Sequence, residues 1–181
     1  MPARRMTAVA PVAAEGLAAR VGPDPAIVTN ARVLEFYNYW LAKRGSHRFP
    51  RRADIEPTEI PQLLSGIVLL DVYYDPLDFE YRLIGGDVQK RSGNLKGKRV
   101  RQASLLNASS PAYRNYCEVI ETGVPQFLEG AALGAYRPGR PTLVSRVHCP
   151  LSDNDQRINK LISYLAFLDA GAPAATPPRE R

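Results

Sequence analysis

The chain has 181 residues, 45% of them hydrophobic and 23% charged, with a formal net charge of +6. That length suits one domain with ragged ends, and no window offers the roughly 18 apolar residues of a membrane span. Two cysteines, Cys117 and Cys149, make neither a disulfide framework nor a CxxC metal site, so reduced thiols in a cytoplasmic protein are expected.

Residues 1–28 are Ala/Pro-rich, and the end from 170 reads "AGAPAATPPRER". Such stretches bury too little apolar surface to offset chain ordering. Mobile tails at 1–28 and 169–181 are therefore expected around a domain at 29–168. "AVAPVAAEGLAARV" (8–21) has the superficial look of a signal peptide, but Pro11 and Glu15 interrupt the apolar run. Much of the positive charge sits on the tails, in Arg4, Arg5, Arg179 and Arg181, which weakens a nucleic-acid reading.

The first clear element is a helix over 31–44. Val33, Phe36, Tyr37, Trp40 and Leu41 share one face, Asn30 can cap the start, and Gly45 suits the end. That face is too apolar to stand in water. It must pack on a sheet or on a second copy of itself, and the latter would make the chain a homodimer. "SHRFPRRADIEPTEIPQLL" follows; Pro50, Pro57 and Pro61 limit it to short turns. Asp54, Glu56 and Glu59 then serve turn starts better than acid–base chemistry.

"IVLLDVYY" (67–74) is a strand and "DPLD" a turn. "FEYRLIG" (79–85) alternates, with Phe79, Tyr81 and Leu83 on one face. The two strands form a hairpin, and "DVQKRSG" reads as a short helix closed by Gly93. Ser110-Pro111 opens a second helix, with Ser110 as cap, that ends at Gly123. Three strands follow, 126–136, 142–151 and 158–168, joined by turns at 137–141 and 152–157. The class is α+β: a five-stranded antiparallel sheet, a helical crossover on one face and an N-terminal amphipathic helix.

This order resembles a PAS domain. "FYNYWLAKRG" (36–45), "DIEPTEIPQLL" (54–64), "LLDVYYDPLDFEYRLIGG" (69–86), "SGNLKGKRV" (92–100) and "CPLSDND" (149–155) are similar to a subfamily of small stand-alone alphaproteobacterial PAS proteins. The likeness covers about 31–168. It implies a sensor, small-molecule binder or dimerising module in signalling, without enzymatic output of its own and acting through a partner protein. The family pattern has a Thr where Gly86 stands, so a hydroxyl is missing there. The first helix would be the extension that such domains carry ahead of the sheet, and "RRADIEPTEIP" the connector into the first strand.

Cavities of this family lie between sheet and crossover helices. The resemblance places Tyr81, Leu83, Tyr113, Tyr116, Phe127 and Tyr164 around that space, with Tyr73 and Leu161 nearby, as ligand contacts or as plain core. "RNYCEVIE" around Cys117 lacks the flavin-adduct arrangement of light-sensing relatives. His47 and His148 do not match a haem-ligating helix, so flavin and haem are not expected and the cofactor stays unknown. Two isolated histidines offer no zinc set, and no hydrolase triad, P-loop or dinucleotide fingerprint occurs. Lys90, Arg91, Lys96, Lys98, Arg99 and Arg101 form a run with no acid between Asp87 and Glu118. They are either a solvated face or an anion contact. The second reading would make the chain a basic adaptor for nucleic acid or a cyclic dinucleotide. The absence of aromatics from 87–112 disfavours base stacking and favours an acidic protein partner.

Overall fold

The computed structural model describes residues 19–101, 111–133 and 142–168. The chain order is β1 (Arg20–Gly22), α1 (Ala31–Arg44), three 3-10 turns within 52–66, β2 (Ile67–Tyr74), β3 (Leu77–Ile84), α2 (Gly86–Ser92), α3 (Pro111–Thr122), β4 (Gln126–Leu133), β5 (Thr142–Leu151) and β6 (Lys160–Phe167). Six strands form one antiparallel sheet in the order β1-β4-β5-β6-β2-β3. The α+β class stands, with one strand more than the five expected. The extra strand, β1, lies inside the stretch 1–28 expected to be a tail. Its three residues carry no readable alternation, and pairing with the otherwise open edge of β4 is what makes them a strand. Ser110, the turn 137–141, the strand end 134–136 and the segments 1–18 and 169–181 lie outside the described residues.

The two faces of the sheet are covered by different elements. On the outer face, α1 starts where Asn30 Oδ1 accepts from the amides of Arg32 and Val33. Its stripe is sealed against the sheet, with Val33 and Phe36 0% and Trp40 1% exposed. Phe36 stacks on Tyr164 of β6 at 5.7 Å, and Tyr37 meets Phe127 of β4 edge-on at 4.9 Å. The indole Nε1 of Trp40 donates to the Pro150 carbonyl at 3.0 Å. Each fully buried Val or Phe contributes roughly 1.5–3 kcal/mol over an exposed one. Of the two coverings open to this helix, its own sheet is the one observed. Phe36 and Trp40 are thereby buried on the chain's own sheet, the first of the two expected coverings.

The proline-punctuated connector is strapped to α1. Tyr39 Oη donates to the Glu56 carbonyl and accepts from the Glu56 amide, Lys43 pairs with Glu59 at 2.6 Å, and Gln62 donates to Glu35. Glu56 accepts from the Thr58 amide at the start of the turn after Pro57, and Asp54 is held by Arg51. The three carboxylates are thus engaged in turn and ion-pair contacts. The end of the connector packs against Gly85, just after β3, where a Cβ would fall 2.4 Å from the Leu64 and Ser65 carbonyl oxygens. Only glycine lets β3 pass that close. Asp87 then bonds Ser65, which holds its carboxyl below the usual range and ties α2 to the connector.

The inner face is covered by α2 and α3. Val68, Leu70, Phe79, Tyr81, Val88, Tyr116, Val119, Leu161 and Leu165 make its core. Two bulges decide which side chains reach it. In β3, Leu70 faces Tyr81 while Leu69 faces Leu83, so Arg82 is the extra residue. In β4, Glu129 faces Ser145 while Ala131 faces Val144, leaving Gly130 as the extra residue at φ 80°.

Candidate functional site

β5 is buried on both faces. Val147, Cys149 and Leu151 belong to the outer core. By strand alternation Val144, Arg146 and His148 point the other way, beneath α3. Arg146 is 4% exposed and His148 0%. Arg146 lies opposite Leu128 on β4 and Leu165 on β6, so its strand neighbours are apolar. It lines a cavity of about 30 Å³ with Tyr81, Val88, Ser92, Tyr116 and Leu165. That volume takes one or two waters or a compact ion. Among the described residues no ion pair reaches Arg146, and its Nε has no hydrogen-bond partner. Burial pulls the guanidinium below its ordinary pKa, offset in part by Tyr116 and Tyr81. An arginine stays charged even so. Holding an uncompensated ion out of water costs several kcal/mol.

His148 sits beside it. Its Nδ1 is 2.6 Å from Ser163 Oγ, its ring meets Tyr116 edge-on at 4.8 Å, and its Nε2 is unpartnered. Burial, then the Arg146 charge, pushes its pKa well below 6.5, so the imidazole is neutral. The hydroxyls of Tyr81 and Tyr116 are hydrogen-bonded to each other, and burial raises Tyr116. The result is a small chamber between sheet and helices whose walls are largely apolar, with Arg146, Ser92 and two tyrosines as its polar groups and no carboxylate among the described lining residues.

Two larger hollows differ in kind. A groove of about 270 Å³ runs along the outer face between connector and sheet, lined by Ile55, Ile60, Leu64, Leu69, Leu83 and Ile162. A depression of about 340 Å³ lies around His47, Arg51 and Asp153–Asp155. Its groups serve the loop: Asp155 accepts from the Phe49 amide, and Asn154 from the amides of Gln156 and Arg157.

A family model for the PAS domain matches residues 28–137, more than half of the chain. The chain belongs to the PAS domain family. Neither the curated proteins nor the solved structures compared with it gave a match. Family membership makes the coarse role that of a sensor or interaction module in signalling. The match stops short of β5, so Arg146 and His148 lie outside it. No helix of the described residues is long and apolar enough to cross a membrane, and they contain no group of three or more metal-capable side chains.

The PAS frame sorts the residues singled out in the sequence. Tyr81 and Tyr116 line the inner chamber. Tyr113 packs against the inner core without lining the chamber, donating to the Leu77 carbonyl and meeting Phe79 edge-on. Leu161 is inner core, and Tyr73 is 38% exposed under the Arg99 guanidinium. Phe127 and Tyr164 sit on the opposite face, packed under α1. Leu83 joins them because the Arg82 bulge rotates it out, where it is 44% exposed. Leu83, Phe127 and Tyr164 are therefore corrected as lining residues of the inner space. Gly86 is exposed at the start of α2, and a Cβ there would meet nothing within 4 Å. The hydroxyl missing there leaves no wall incomplete. Cys149 is buried in the outer core, where burial pushes its thiol up. Cys117 is half-buried on α3 and its thiol is also raised by burial.

The basic run is split by the fold. Lys90 pairs with Asp87 at 3.5 Å, Arg91 lies over the Phe167 ring at 4.0 Å, and Arg99 pairs with Glu80 at 3.4 Å. Lys96, Lys98 and Arg101 are exposed. Residues 97–100 run along β3, bonding Tyr81 and Phe79, and so cover the sheet edge. The sequence gap in acids is thus filled across space from β3, which weakens the anion-contact reading of Lys90–Arg101. Arg146 is the feature that the sequence reading missed. Its signal was present: it shares strand parity with His148 in a segment with apolar residues on both faces.

Proposed function

We propose that this PAS domain is a non-enzymatic cytoplasmic receiver that takes a small molecule into the chamber between its sheet and α2/α3. It hands the resulting shift to a signalling protein partner. The observation that supports this reading is the chamber itself, lined by Arg146, whose buried Nε has no partner among the described residues, with the unpartnered Nε2 of His148 two residues along the same strand face. Natural cores satisfy such groups, and the exceptions ask for an explanation. An occupant that binds one packing of α2 and α3 better than another biases the equilibrium by that difference in affinity. With the α1 stripe buried, the readout belongs to a heterologous partner rather than to α1-to-α1 pairing. Nothing favours the adaptor reading for nucleic acid or a cyclic dinucleotide, since half of its cations are already engaged.

Native mass spectrometry of freshly purified protein, joined to a thermal-shift screen of small polar molecules, tests the proposal. The expected result is a co-purified mass or a concentration-dependent rise in melting temperature that Tyr116→Leu abolishes. A chain that carries nothing and responds to nothing sinks it.

A further inference from the structure

Resting on the reading of the inner chamber as a ligand site, the geometry points to the class of ligand: a compact carboxylate monoanion of formate or acetate size, received by the Arg146 guanidinium. Arg146 lines the cavity, is 4% exposed and has an unpartnered Nε. No ion pair among the described residues includes it. The segments that adjoin α3 and β5 in the sequence, 102–110 and 134–141, contain no Asp or Glu, so they bring no carboxylate of their own. Neither the described lining of the cavity nor these two segments supply a counter-charge, which leaves room for a bound anion.

Several features narrow the class further. A guanidinium offers parallel N–H donors in a planar fork, which suits a carboxylate better than a spherical ion. Tyr81 and Tyr116 add hydroxyls to the same wall. Arg146 is the one charged side chain among the described residues lining the cavity, and a single positive charge matches a monoanion rather than a phosphate dianion. A cavity of about 30 Å³ favours a compact body over a nucleotide or a long dicarboxylate. The surrounding Val88 and Leu165 suit a one- or two-carbon body.

The test uses the full chain at constant ionic strength. Melting temperature is followed against formate, acetate, nitrate, chloride and neutral acetamide, for the wild type, Arg146→Met and Arg146→Lys. Ligand binding to the native state raises the melting temperature with the logarithm of concentration once the site is filling. The expected result is such a rise with formate and acetate in the wild type, a weaker one in Arg146→Lys, and none with acetamide. Arg146→Met is expected to melt higher than the wild type in carboxylate-free buffer and to ignore added carboxylate. Should Arg146→Met fail to fold, line broadening of isotope-labelled formate by the wild type, reversed by excess acetate, carries the same decision. Equal responses to acetate and acetamide would overturn the carboxylate assignment while leaving a chamber ligand in place. A response to chloride or nitrate alone would replace the carboxylate with a simple ion and overturn the class. No response to any of the five, with no broadening of formate, would sink the assignment. Whether the chamber reading falls with it depends on the broader ligand screen.

Discussion

The outer and inner faces of this sheet are buried to a similar depth by opposite means. Outside, one long helix lays Val33, Phe36 and Trp40 on the strands, and the indole N–H finds the Pro150 carbonyl. Ser145 Oγ and Glu129 Oε2 are buried there without partners, but neither lines a hollow. Inside, two shorter helices leave a chamber, and an ion is aimed into it. The outer face spends its burial on holding the domain together. The inner face instead holds a buried guanidinium whose Nε has no partner among the described residues. A family whose role is to sense needs both, because a cavity can respond to a ligand only if the rest of the domain stays folded while it does.

Substitutions on the two faces should therefore move stability in opposite directions. Trp40→Ala removes the largest outer side chain and a hydrogen bond. It should cost about 3–5 kcal/mol in urea-induced unfolding. A loss below about 1 kcal/mol would mean that α1 is not part of the cooperative unit. Arg146→Met, on the inner face, should raise stability by at least about 1 kcal/mol in buffer free of carboxylates, because it deletes an uncompensated buried ion. If it destabilises as Trp40→Ala does, the inner face is an ordinary core and the contrast between the faces disappears.

How far this contrast was visible beforehand depends on which physical rule controls each residue. The helix 31–44 and the strands 67–74 and 142–151 follow from local periodicity and caps, and the structure has them at those bounds. The assignment of Leu83 did not survive, because alternation assumes an unbroken pleat and Arg82 inserts one residue. Phe127 and Tyr164 carry the right chemistry for a pocket, but strand parity puts them under α1. Arg146 was passed over because charged residues in a strand read as solvent-facing. Only the arrival of α3 over β5, set by pairing between distant segments, buries it. The cations of 90–101 looked unopposed in the sequence, since Glu80 sits on a neighbouring segment that the chain folds back upon.

A pH titration sharpens the comparison at a finer scale. The folded-state pKa of His148 is depressed well below 6.5, first by burial and then by Arg146. The unfolded chain therefore takes up the proton first as pH falls. The contribution of His148 to stability is fully present above about 6.5 and is lost below it, by about 1.4 kcal/mol per pH unit until the folded pKa is reached. His148→Gln should flatten this part of the acid limb of stability against pH, while Trp40→Ala should lower the whole curve without changing its slope there. A His148→Gln curve as steep as the wild type between pH 6.5 and the acid transition would place the imidazole in water.

The smallest effect is the most specific test of which face a residue belongs to. Leu83 follows Phe79 and Tyr81 at even spacing, and an unbulged β3 would seat all three in the inner core. There, replacing Leu83 by a polar or truncated side chain would cost about 2–5 kcal/mol. With Arg82 as the extra residue, Leu83 instead faces Leu69 across the pair and stands 44% exposed on the outer groove. Surface substitutions of that kind stay within about 0.5 kcal/mol. Leu83→Gln should accordingly leave the urea midpoint almost where it was, and should leave any response of the inner chamber to small anions untouched. A loss of several kcal/mol would remove the bulge, return Leu83 to the inner face and redraw the chamber wall between Tyr81 and Ile84.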